Sequence, residues 1–165
     1  MYQKTMAGFF AVSMFFLYLC PNALPAAEVD GDGTIKLTGN IAADISSQVS
    51  VREIESIGVS DITLYDPFDK KNTLFTGVWM DQFAAHFGES DVTQITFKAI
   101  DGYEFSFRQA DWSETKALIA TRAGKDYIGF DRKGPIRVVF PVYDPKKSKE
   151  SLPKWIWMIT EVNFR

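Results

Sequence analysis

The chain has 165 residues, 46% hydrophobic and 15% aromatic, enough for one globular domain with a proper core and too few for a second. Its formal net charge is -3, and of 18 basic residues only Lys4 falls in the first 27, leaving 17 bases against 21 acids in the remainder. That balance excludes a nucleic-acid-binding face, which needs an excess of cations to neutralise phosphates.

The first element in chain order is an export signal, residues 1–27. Lys4 supplies a positive start, Ala7–Leu19 is an uncharged apolar core, and Ala23–Ala27 offers small residues for cleavage. The core falls short of the about 20 apolar residues that span a bilayer. An uncleaved anchor and a lipoprotein modified at Cys20 are the alternatives, and bulky Tyr18 and Leu19 speak against the second. Cleavage leaves residues 28–165 as the mature domain and removes Cys20, the sole cysteine. Disulfides, thiolate zinc sites and thiol catalysis are then excluded. With no twin arginine before the apolar core, the chain is expected to cross unfolded and to meet its ligands in the periplasm.

Downstream, "TIKLTG" (Thr34–Gly39) alternates Ile35 and Leu37 toward one face, as a half-buried strand does. "SVREIESIG" predicts a short helix, with Ser50 as N-cap, Glu53 closing a capping box and Gly58 as the stop. "DITLYDP" reads as extended up to Pro67, and "TLFTGV" as a strand ending near Gly77. "WMDQFAAHFG" places Met80, Phe83, Ala84 and Phe87 at helical spacing before Gly88. The second half is strand-rich: "TQITFKAI" and "EFSFRQ" flank an Asp-Gly-Tyr turn, and "ALIATR", "PIRVVFP" and "WIWMITEVNF" follow. The sum is an α+β domain, a mixed sheet with a few short helices.

Several motifs fall short of a site. "VDGDGTI" (Val29–Ile35) resembles part of an EF-hand loop, yet Gly39 stands where the bidentate glutamate belongs, so it reads as a solvated linker. His86 is the only histidine and has no Ser or Asp partner at a recognisable spacing, and no G-x-S-x-G motif accompanies it. The acidic residues allow many carboxylate pairs, and sequence alone offers no geometry to choose among them.

"PKWIWM" and "GPIRVVFP" carry more. Treated as one strand, "WIWMITEVNF" puts Trp155, Trp157, Ile159, Glu161 and Asn163 on one face and Ile156, Met158, Thr160, Val162 and Phe164 on the core face. Two tryptophans beside Lys154 suit the rim of a pocket for a flat heterocycle, with Lys154 or Arg137 to neutralise an anionic substituent. Tryptophans that merely cap the core are the alternative.

Four segments, in order across Gly77–Arg165, resemble the molybdopterin-binding oxidoreductases with the sulfite oxidase fold. "FTGVWMDQFAAHFG" is similar to the family's x-Gly-Val segment and following helix, and "FKAIDGYEFSF" to its Asp-Gly-Tyr turn. "ALIATRAGKDY" with "GPIRVVFP" resembles its Gly-x-Pro-x-Arg region, and "PKWIWMITEV" its Lys-Trp strand. The resemblance implies a sulfite-oxidase-type fold with a pterin over the sheet, held by Asp101, Tyr103, Gly134, Arg137, Lys154 and Trp155, with Trp157 extending the planar wall.

The departure from the family is in "DITLYDPFDKKN", where its enzymes carry the cysteine that ligates molybdenum and this chain has none. Oxygen ligands do not replace a soft thiolate without changing the metal chemistry, so molybdenum is not expected. The expectation is a periplasmic, non-catalytic pterin-binding protein, its ligand a tetrahydropterin or a relative. By resemblance it serves as a sensor or carrier for a membrane-bound signalling partner, a cyclic di-GMP enzyme or a sensor kinase. The alternatives are a molybdopterin-dependent oxidoreductase subunit and a ligand-free structural or scaffold protein.

Overall fold

A computed structural model describes residues 33–165. The expected export signal, Cys20 and most of "VDGDGTI" lie outside the described residues.

Among the described residues, ten strands form two mixed or antiparallel sheets, with a few short helices. The first sheet has the order β2–β1–β10–β5–β6, built from β1 (Thr34–Gly39), β2 (Gln48–Ser50), β5 (Gln94–Ala99), β6 (Glu104–Arg108) and β10 (Ile159–Phe164). Its β1–β10 pair is parallel and the rest are antiparallel. The second sheet runs β3 (Ser60–Asp66), β4 (Lys71–Trp79), β7 (Leu118–Ala123), β8 (Asp126–Tyr127), and β9 (Arg137–Val139) also pairs with β7. The expected α+β class is what the chain adopts.

The signals for the first two helices act as predicted. In α1 (Val51–Ser56), Ser50 Oγ accepts the Glu53 N–H at 3.2 Å while Glu53 Oε2 accepts the Ser50 N–H at 2.6 Å, two otherwise orphaned donors satisfied reciprocally. The helix buries Val51 and Ile54. Gly58 follows the C-cap residue Ile57 at φ +117°, a backbone state that costs a side-chain-bearing residue energy. In α2 (Met80–Phe87), Met80, Phe83, Ala84 and Phe87 are the buried face. Phe83 sits at the centre of an aromatic cluster, with ring centroids 4.7 Å from Phe87, 5.9 Å from Phe164 and 6.4 Å from Phe97. Burying one such ring contributes about 1.5–3 kcal/mol, so this cluster ties α2 to both β5 and β10.

Gly77 shows why β4 can carry two neighbours. A Cβ there would stand 2.1 Å from the Ile119 carbonyl oxygen, at the register shift between Thr76 and Gly77 in the β4–β7 pair. Only a residue without Cβ permits that approach.

One helix was not read from the sequence, and one expectation needs correction. The segment "ADWSET" lies in a third helix, α3 (Gln109–Thr115), where Asp111 Oδ2 accepts the Arg108 N–H at 2.8 Å and Trp112 is buried. The last strand starts at Ile159, not Trp155. Residues Leu152–Lys154 form a 3-10 turn, Met158 takes φ +52°, and a bulge separates Ile159 from Glu161. Each irregularity breaks the two-residue alternation on which the face assignment rested. Trp155 and Ile156 are therefore both buried, and Ile159 joins the core with Val162 and Phe164, while Met158 and Thr160 are half-buried. The 156–159 run is held beside β9 instead, where the Val138 N–H donates to Ile156 O at 2.8 Å.

Candidate functional site

Three irregular pieces meet at a cleft of about 300 Å³ lined mainly by apolar groups. That volume lies at the lower end for small-molecule sites. The pieces are the β5–β6 turn, the β3–β4 turn and the run from Leu152 to Trp157.

The β5–β6 turn is closed by its own side chain. Asp101 Oδ1 accepts the Tyr103 N–H at 2.9 Å, and Gly102 takes φ +86° with its N–H on Ala99 O at 3.0 Å. An Asp-Gly pair is well suited to that turn, because aspartate bonds the backbone two residues on and glycine accepts a positive φ without strain. Tyr103 is thereby aimed across the cleft, where its hydroxyl donates to Pro153 O at 3.0 Å.

The β3–β4 turn is organised by Asp66, which is fully buried. Its Oδ1 accepts the Phe68 N–H at 2.9 Å and the Asp69 N–H at 3.3 Å. Phe68 then points into the cleft and meets Trp157 edge-on, centroid to centroid 4.5 Å at 77°, and Trp155 at 6.3 Å. Edge-to-face contacts of this kind add about 0.5–1.5 kcal/mol beyond burial. Trp155 is 2% exposed, also touches Phe140 and Tyr143, and has its indole Nε1 buried without an acceptor. Trp157 is half-buried, with surface left over for a ligand.

On the other side of the same turn lies a larger, polar basin of about 580 Å³. Lys71, Arg132, Lys133 and Arg137 line it together with Asp69 and Asp131. Its cations are largely spoken for. Arg137 is 2% exposed and stands 2.9 Å from Asp66 Oδ2, with its guanidinium 5.2 Å from the centre of the Phe75 ring. Arg137 and Asp66 form a buried ion pair. Burial pulls the Arg137 guanidinium below its ordinary value, against the opposing charges of Asp66 and Asp69. Lys133 is paired with Asp69, whose carboxyl it holds below the usual range, and Arg132 donates to Tyr127 O at 2.7 Å.

Of the seven residues expected at the pterin site, Asp101, Tyr103, Trp155 and Trp157 come together at the cleft. Arg137 belongs to the basin, and Lys154 is half-buried in the 3-10 turn without lining the cleft. Gly134 is buried, and a Cβ on it would sit 1.7 Å from the Ile128 carbonyl oxygen, so packing alone requires glycine there. Phe68, Leu152 and Pro153 complete the cleft and were not singled out from the sequence. The one available signal for Phe68 was an aromatic residue inside a polar turn, "DPFDKKN".

The stretch expected from the resemblance to correspond to the family's metal-binding cysteine, "DITLYDPFDKKN", contains this Asp66–Asp69 turn. Its carboxylates are hard oxygen donors already engaged by Arg137 and Lys133, and they do not fit a soft thiolate-ligated metal.

No family model matches the chain, and no curated protein does. Among solved structures, 23 chains match. One is the sulfane dehydrogenase SoxCD from Paracoccus pantotrophus, at a TM-score of 0.58 and 10% identity, over 81% of this chain. The match spans 38% of the SoxCD chain. At that identity the likeness is one of fold: the two-sheet arrangement described above recurs within a dehydrogenase subunit more than twice as long as the region it matches.

Proposed function

We propose that the chain binds a flat nitrogen heterocycle of the pterin class at the aromatic cleft and does so without redox catalysis. The observation that carries this reading is the convergence of Trp155, Trp157, Phe68 and Tyr103 with the Asp101 carboxylate on one cleft of about 300 Å³. Indole and phenyl faces stack on a planar ring, and a carboxylate accepts from the paired donors of a pterin's amino-pyrimidine edge. Trp155 Nε1, a buried donor with no protein acceptor, is a second polar group for the ligand to satisfy. The sulfite-oxidase-type fold proposed from the sequence is supported by the likeness to SoxCD.

The test is to isolate the chain from its native compartment and identify any bound small molecule by mass spectrometry. Tetrahydropterin and oxidised pterin are then titrated while tryptophan fluorescence is followed. Saturable quenching that Trp157→Ala abolishes supports the reading; no saturable binding of either pterin by the folded protein sinks it.

A second reading, an oxidoreductase subunit using molybdopterin, is favoured by the shared fold with a dehydrogenase. The engaged carboxylates of the Asp66–Asp69 turn weigh against it. Elemental analysis for molybdenum separates the two. In the proposed setting the chain is periplasmic and delivers or reports its ligand to a membrane-bound signalling protein. The apolar signal of residues 7–19 supports export, and the partner rests on the family resemblance.

A further inference from the structure

The outer wall of the cleft is built unlike the rest of the molecule. Leu152 and Pro153 end a chain of short turns that runs from Pro145–Lys147 through α4 (Ser148–Ser151) to Leu152–Lys154, and none of these three turns buries a side chain. Its hydrogen bonds close upon themselves: Lys146 N–H to Asp144 Oδ1 at 2.9 Å, Lys147 N–H to Asp144 O at 3.0 Å, and Ser151 Oγ to Lys147 O at 3.0 Å. Among the described residues, and apart from Trp155 and Ile156 at the exit of the segment, Tyr103 is the residue that hydrogen-bonds to it from outside. A segment with no buried side chain and few ties to the body opens at low free energy.

We propose that residues 144–154 are a flap over the cleft and that Tyr103 is its latch. The Asp101–Gly102 turn fixes Tyr103 on the stable side, at the entry to β6, and its hydroxyl reaches across to Pro153 O. A planar ligand lying against Trp157 is covered by Leu152 and Pro153, so entry and exit require the flap to swing out with the Tyr103 bond broken. Once seated, the ligand adds contacts to Leu152 and Pro153 that favour the closed flap. Lys146, Lys147 and Lys149 ride on its outer surface, so occupancy of the cleft is displayed to solvent as a change in the mobility of a basic segment. This inference rests on the cleft being the binding site and adds how access to it is controlled.

The test uses the full chain and Tyr103→Phe, which keeps the ring in the cleft and removes the hydroxyl. Without ligand, amide hydrogen exchange at 146–152 and tryptic cleavage at Lys146, Lys147 and Lys149 are expected to rise roughly fivefold, the effect of losing one neutral hydrogen bond. Exchange in β5 and β10 stays unchanged. Tetrahydropterin slows both readouts in the wild type. In stopped-flow mixing its association and dissociation rates rise together in the variant, with a nearly constant Kd. Unchanged exchange at 146–152 overturns the latch, as does a loss of affinity confined to the dissociation rate, which marks Tyr103 as an ordinary contact. Faster exchange in the variant without any tetrahydropterin binding keeps the latch and removes the pterin reading.

Discussion

The two hollows on either side of the Asp66–Asp69 turn are opposite solutions to the same local problem. The cleft presents aromatic faces and one rim carboxylate with spare capacity, whereas three of the basin's four cations, Arg137, Lys133 and Arg132, already face Asp66, Asp69 and Asp126. A charge committed to a protein partner has little left to offer a ligand, while a half-buried indole face keeps its stacking capacity. The larger hollow is therefore the poorer candidate, and the smaller one is where binding is expected.

That contrast breaks most sharply at Arg137. Arg137→Ala leaves Asp66 charged and buried without its partner, and the expected loss is about 3–5 kcal/mol in urea unfolding, with pterin affinity of the folded fraction little changed. A large loss of affinity at unchanged stability would move the site to the basin. Trp157→Ala is the mirror experiment: it removes a half-buried wall of the cleft, and a fall in pterin affinity of roughly tenfold or more is expected by titration, since base-sized rings stacked on aromatics contribute about 1–3 kcal/mol each. Asp101→Asn should weaken binding by about tenfold, the scale of a charge-assisted hydrogen bond, with a small stability change because the amide oxygen still accepts the Tyr103 N–H.

The smallest effect lies away from both hollows. Burial pushes the Glu55 carboxyl up, but hydrogen bonds from Arg122 at 2.6 and 2.8 Å, from Thr121 and from Tyr127 together hold it below its ordinary value. A depressed carboxylate stabilises the fold above its unfolded-state value and loses that contribution as pH falls through the lower folded-state value. The wild type should therefore exceed Glu55→Gln by about 1 kcal/mol near neutrality, a figure kept small because Arg122 is a third exposed. The gap should close below about pH 4 in thermal melts, while pterin affinity is unaffected throughout.

Local chemistry was legible wherever its cause is local. The Ser50–Glu53 capping box, the apolar face of α2 and the Asp-Gly turn before Tyr103 each depend on residues within a few positions of one another, and each formed as read. The cleft was half legible: Asp101, Tyr103, Trp155 and Trp157 were marked, while Phe68, Leu152 and Pro153 were not. Phe68 reaches Trp157 only because Asp66, some 90 positions earlier in the chain, folds its turn onto the C-terminal segment. Trp155 and Ile156 defeated the alternation rule because a 3-10 turn leads into them, and a left-handed Met158 and a bulge at the start of β10 follow them.

By itself, then, the sequence determined the class of fold, two of the helices with their ends, and the residue types available to a planar ligand. Those follow from hydrophobic period, capping and composition, which act over one or two turns of chain. Only the tertiary structure decided that Arg137 faces Asp66 instead of the cleft, and that Trp157 faces Phe68. Pairing across 70 residues or more is set by which strands share a sheet and by the cost of leaving a buried charge alone, and neither is written in any short stretch of the chain.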